Sequence, residues 1–270
     1  MRKEISDSAS NRRILSRNAG HWEYLLGYNA GALLVLLFIC MLFSQVFGQI
    51  PTTAFPLLVL SGLLWFVGCY FSFKADQRVE VSATSMVGQI QLVLVFLGGI
   101  FVLGESVSFF KIAGSLCVVL GIAFLGESLR GVCRQGLIFK VVSASATACA
   151  LLVDKRLTGI VSPMVIPVFG YLIPTAIAVG VRPGRIGAAI RSTRDMRFSN
   201  VALGMVGALA YYSLIRAFVL QDASTVFPVY QGYLLLTILA AHFCLREQGR
   251  LGVKLAAAAT VVLGAVCLSV

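Results

Sequence analysis

Charge is what this sequence has least of. Asp, Glu, Lys and Arg make up 12% of its 270 residues, against 59% hydrophobic, and the mean hydropathy is +0.92. A soluble domain carries roughly a quarter charged residues, so the composition excludes a water-soluble globule and leaves a polytopic membrane protein. Histidines are only His21 and His242, with no spacing that would make a metal site or a nucleophile relay. None of the seven cysteines stands in a Cys-x-x-Cys pair, and all but Cys133 fall within apolar runs. Neither a disulfide frame nor a zinc site is indicated. Ser-His-Asp, His-Glu-x-x-His and paired-aspartate arrangements are missing too. The reading is therefore a protein that is not an enzyme and carries no cofactor.

Acids are the scarcer charge, 11 against 22 bases, for a formal net charge of +11. The bases sit in short links between apolar runs, the pattern of membrane-surface loops rather than of nucleic-acid binding. No acid falls near the centre of an apolar run, so a membrane-buried proton carrier is not expected. Asp154 and Asp222 read as helix ends or links. The first 23 residues are polar and lack the apolar stretch of a cleaved signal peptide.

What is present is apolar length. A helix needs about 20 residues to cross a bilayer, and nine runs come close: 24–44, 53–73, 82–102, 108–126, 136–152, 162–181, 199–219, 223–244 and 251–270. Short links make neighbouring helices antiparallel. Only 182–198 is long enough to lie on the membrane surface as a loop of its own. Pro167, Pro174 and Pro228 are expected to interrupt their helices.

The chain also repeats itself. Residues 103–122 and 245–265 each carry a Glu at the end of one apolar run, a short link with a Lys, and a second apolar run. Glu105 and Glu247 are 142 residues apart. At that offset Tyr70 falls on Tyr212, Lys74 on Arg216, Ser82 on Ser224 and Gln89 on Gln231. With a one-residue slip Gly27-Tyr28 falls on Gly170-Tyr171 and Lys111 on Lys254. Sparse matches kept in order point to duplication, and a duplicated apolar unit points to a carrier built of two membrane repeats. These are 24–130 and 131–270, after the polar segment 1–23. The partner of the helix at 136–152 would lie mostly before Met1, so the expectation is that either the start is placed late or the first helix of the first repeat has been lost.

Leu103-Gly104-Glu105 followed by Gly114 and Leu120-Gly121 resembles the signature that closes each half of EamA-like members of the drug/metabolite transporter superfamily. Leu245-Arg246-Glu247 through Leu263-Gly264 is similar, with Arg in place of Gly. Tyr212 to Ala217 with Ala223-Ser224 and Pro228-Val229 is similar to another family stretch, from which the first half departs at Met86-Val87. The likeness covers about residues 11 to 270. It implies an all-α fold of ten helices in two inverted five-helix repeats with a substrate cavity between them, of which this chain would carry nine.

Glu105 and Glu247 are read as carboxylates capping the next helix rather than as catalytic groups. The candidate substrate-binding residues are polar groups at depth. Gln89 and Gln91 fall mid-run in 82–102, and Tyr230, Gln231 and Tyr233 mid-run in 223–244. An amide in hydrocarbon costs several kcal/mol unless bonded, so these side chains serve either as glue between helices or as lining of a wet cavity. Tyr28, Tyr171 and Tyr212 add rings with polar tips, suited to a part-apolar organic solute. Lys74 and Arg216 either snorkel to the headgroups or give the cavity a positive lip that favours anions.

The function expected is a secondary transporter moving a small organic solute by alternating access. Its rivals are a lipid-linked or nucleotide-sugar flippase-like carrier and a non-transporting membrane subunit. Solute, membrane lipid and a second copy of the chain are the partners this reading admits, in a bacterial inner membrane. Charge sets an orientation: 18 of the 22 bases fall on the side of the N-terminus and the 182–198 loop, and only Lys111, Lys155, Arg156 and Arg216 on the other. The positive-inside rule puts the first side in the cytoplasm and the C-terminus outside.

Overall fold

The computed structural model describes residues 21–42, 50–79, 81–106, 108–124, 133–195, 199–230 and 251–268. Every regular element among them is helical, as a lipid-facing chain requires: only a helix or a closed barrel satisfies its own backbone in hydrocarbon. The helices are α1 (His21–Leu42), α2 (Phe55–Asp76), α3 (Val81–Gly88), α4 (Ile90–Leu103), α5 (Phe109–Phe124) and α6 (Arg134–Leu157). They continue as α7 (Val165–Val181), α8 (Ile186–Asp195), α9 (Ser199–Leu220), α10 (Ala223–Tyr230) and α11 (Leu251–Leu268), with 3-10 turns at Thr52–Ala54 and Pro183–Arg185.

The described parts of the nine apolar runs are mostly helical, apart from residues such as 162–164 and Gln89. Among the described residues, five helical stretches are long and apolar enough to cross a membrane, and a sixth counts if α7 and the bent stretch after it form one span. The second half of the run at 223–244 lies outside the described residues.

Three local readings change. The run 82–102 is two helices, because Gln89 switches the backbone to i→i+3 bonds: its N–H reaches the Met86 carbonyl at 3.0 Å, and the Leu92 N–H reaches its own at 2.9 Å. Such a tightened step inside a span is a recognised mark of a hinge. The stretch after Val181 is no loop. It turns by 99° into the 3-10 turn and α8. The prolines do not break their helices. Pro167 lies in the first turn of α7, where a missing N–H costs little, and Pro174 lies inside it.

The residues form two compact units, each drawing on both halves of the chain. One holds 11–70 and 153–220: α1, α7, α8 and α9, the first part of α2 and the last turn of α6. Its core is a backbone-close crossing of α1 and α9. A Cβ on Gly31 would collide with the Val201 carbonyl, and one on Gly204 with the Tyr28 carbonyl. Small residues allow this approach in membranes, where no hydrophobic effect drives helices together. Arg185 donates to Glu23 at 2.7 Å and Arg182 lies 5.6 Å from the Trp22 ring, so the bend after α7 is fastened to the start of α1.

The other unit holds 71–152 and 221–270, with α5 packed along α11 and α10 against α4. Gly104 ends α4 in the left-handed conformation at φ 72°, and its N–H bonds the Gly99 carbonyl. Glu105 then reaches back, accepting the N–H groups of Ala223 at 2.9 Å and Ser224 at 3.0 Å. The carboxylate is a cap, but on α10, 118 residues on, rather than on the next helix. Buried Lys111 completes the junction, donating to Ser224 Oγ at 2.9 Å and to the Ser106 carbonyl at 3.1 Å.

Candidate functional site

The most developed polar site lies in the α1–α7–α8–α9 unit, and its centre is a residue the sequence hid. Asp154 was read as part of a link; the structure runs α6 five residues past the expected end at 152 to Leu157 and buries Asp154 completely, at 0% exposure. Three donors converge on its carboxylate. Ser61 Oγ donates to Oδ1 at 2.5 Å, the Trp65 indole Nε1 to Oδ2 at 3.0 Å, and the Tyr211 hydroxyl to Oδ2 at 2.6 Å. Ser61 and Trp65 are one turn apart and share a face of α2, while Tyr211 comes from α9.

All three donors are neutral. The neighbouring ammonium of Lys155 instead donates to the Phe218 carbonyl at 2.6 Å, and Arg156 is exposed. Aromatic rings extend the site. Tyr211 lies 4.7 Å from Trp65 and 6.0 Å from Tyr171, and Tyr171 lies 6.2 Å from Tyr28. Gly170 makes room for this row, because a Cβ there would press on the Tyr211 ring at 3.0 Å.

Two of the residues expected from sequence, Tyr28 and Tyr171, therefore come together around a centre that was not expected. Tyr212 is partly exposed on α9, and Arg216 on the same helix is exposed. The signals for the missed centre were present but masked. Asp154 is followed at once by Lys155-Arg156, which reads as a headgroup cluster, and the Ser-Gly-Leu-Leu-Trp run at 61–65 reads as ordinary apolar helix.

In the other unit Gln89 is 2% exposed at the step between α3 and α4. Its Nε2 donates to the Ser85 carbonyl at 3.3 Å, and its Oε1 has no partner. A Cβ on Gly88 would lie 3.1 Å from Lys140 Cε, and Lys140 Nζ donates to Ser72 Oγ at 3.0 Å. Gln91 is half-buried on α4. Lys74 lies over the rings of Phe71 and Phe139, at 6.0 and 5.6 Å. Tyr230 is exposed and stacks on Phe227 at 6.0 Å. Gln231 and Tyr233 lie outside the described residues, as does Glu247.

Residues 13–126 match the EamA-like transporter family. A solved crystal structure superposes with a TM-score of 0.70 over 96% of this chain and 91% of its own, at 18% identity, a likeness of fold. No curated protein matches the sequence. Helices of this length and hydropathy are those of a multi-pass membrane protein, and the matched stretch is similar to a family of transporters. The family resemblance drawn from Leu103-Gly104-Glu105 holds, since that signature falls within the matched stretch, and the chain is recognised there as EamA-like.

Proposed function

We propose that this protein is a secondary transporter that carries a small organic solute across the membrane by alternating access of its two sequence repeats, 24–130 and 131–270. The observation that carries the solute-binding part is Gln89. An amide oxygen buried to 2% exposure and left without a partner costs on the order of 1–3 kcal/mol. A bound solute or water that donates to it recovers that cost. Its position at the i→i+3 step of a span suits a contact that opens and closes as α3 moves against α4. Tyr28 and Tyr171, whose rings carry polar tips, are proposed contacts of a part-apolar solute.

Gln91, Tyr230, Gln231, Tyr233 and Tyr212 remain proposed contacts of the same solute. Lys74 and Arg216 are proposed as attractors of anionic groups. The N-terminus is proposed to be cytoplasmic, in a bacterial inner membrane, on the strength of the base distribution.

A growth-resistance and uptake screen of the full chain, across amino acids, organic acids, sugar phosphates and amphipathic drugs, tests the reading. At least one class should be moved. Gln89→Ala should then lower its transport about tenfold, the worth of one hydrogen bond to a solute, with the melting temperature in detergent held. Wild-type transport of the solute retained in Gln89→Ala would remove this residue from the site. No transport of any class would favour a non-transporting subunit.

A further inference from the structure

We propose that Asp154 is a proton-exchange site that couples solute movement to a pH gradient, with Ser61 as the hydroxyl that reverses its hydrogen bond as the proton comes and goes, and Trp65 and Tyr211 as the donors that hold the other oxygen. The inference rests on the transporter reading above and adds its energy source.

The argument begins with what faces the carboxylate. From α2 come Ser61 and Trp65, which carry no charge, and from α9 comes Tyr211. Tyr171 of α7 stands one ring further, and Tyr28 of α1 one ring beyond that. Lys155 spends its ammonium on the Phe218 carbonyl. An ionised Asp154 is therefore held by hydrogen bonds from neutral groups. Burying such a charge costs several kcal/mol, which charge-assisted bonds from three donors offset.

The same partners also serve the neutral acid. A hydroxyl donates or accepts, whereas an indole N–H only donates. When a proton arrives from water on one side of the membrane, the Oδ1–H bond forms and the charge is cancelled. The new O–H then donates to Ser61 Oγ, whose own hydrogen rotates away, while Trp65 continues to donate to Oδ2. Release breaks the Oδ1–H bond, returns the proton to water on the other side and restores the Ser61 donation. A knot that merely tied helices together would need one such state; this set of partners satisfies two. The reversal is felt where α2, α6 and α9 meet, and the ring row Trp65–Tyr211–Tyr171–Tyr28 extends that junction to α7 and α1.

The indole bonded to the carboxylate gives a readout that needs no solute. The chain has two tryptophans, so Trp22→Phe leaves Trp65 alone to report. In nanodiscs, Trp65 emission of the full chain should pass through one sigmoidal transition with pH, and Asp154→Asn should abolish it. Ser61→Ala, which keeps the acid, should keep the transition and displace its midpoint. A transition that survives in Asp154→Asn, or no transition in the parent, overturns the proposal. If Asp154→Asn does not fold, an unmoved midpoint in Ser61→Ala overturns it instead.

Coupling is read in proteoliposomes with the labelled solute that the screen returns. Asp154→Asn should keep solute-for-solute exchange and lose accumulation driven by an imposed pH gradient. Loss of both in a folded variant means a structural knot, and retention of both means another coupling site. A parent protein that neither exchanges nor accumulates defeats the transporter reading, even where the emission transition shows that Asp154 titrates.

Discussion

Tyr211 ties the carboxylate of the candidate site to its rings: its hydroxyl donates to Asp154 at 2.6 Å and its ring lies against Trp65 and Tyr171. Tyr211→Phe keeps the ring contacts and removes one donor to a buried carboxylate. Thermal unfolding in detergent should show a loss of about 1.5–3 kcal/mol, the worth of a hydrogen bond to a charged group. An unchanged unfolding curve would mean that Asp154 is held by Ser61 and Trp65 alone. This residue also shows how far a sequence can be read at the level of single side chains. Its neighbour in the ring row, Tyr171, stood out as a polar ring in an apolar run, but the carboxylate did not, because Asp154 sits beside Lys155-Arg156 and the burial of one member of a charge cluster depends on where the helix ends. Five more residues of α6 decide it, and nothing in the composition of 152–157 marks them. Gln89 is the opposite case. An amide in the middle of an apolar run has few fates, and burial was legible; the step in the backbone beneath it was not.

Contacts between elements hang on glycine and on one carboxylate. Gly31→Ala or Gly204→Ala drives a methyl into a facing backbone carbonyl, which no rotamer change relieves. Each should therefore cost about 1–3 kcal/mol by separating α1 from α9, seen as a lower melting temperature. Gly184→Ala, with open space at its Cβ, is the matched control. Glu105→Ala should cost about 1–2 kcal/mol by uncapping α10, while Glu105→Gln, which still offers an acceptor, should recover part of it. If both variants melt like the parent, the cap on α10 contributes nothing. The hydrophobic pattern located these helices well, since spans are written in length and apolarity. It could not pair them, because pairing is set by small residues and long-range caps that carry no periodic signal. Glu105 was legible as a cap, whereas the helix it caps lies 118 residues away.

At the scale of the whole molecule, orientation is the property charge predicts most directly. Alkaline phosphatase fused after Val270 should be active and a fluorescent protein dark, if the side with 18 of 22 bases stays in the cytoplasm as the positive-inside rule expects. A bright fluorescent fusion would show that the ten-helix family arrangement overrides the arginines. The 99° turn after α7 adds something the charge count alone does not contain. If α7 stands across the bilayer, α8 lies along its surface with Ile186 and Ile190 exposed beside Arg191 and Arg194. Arg185 and Arg182 moor the turn to Glu23 and Trp22 at the head of α1. In that placement the protein would carry its own waterline: α8 would fix how deep α1 and α7 float, and a thinner or thicker bilayer would have to bend to that mark or strain the mooring.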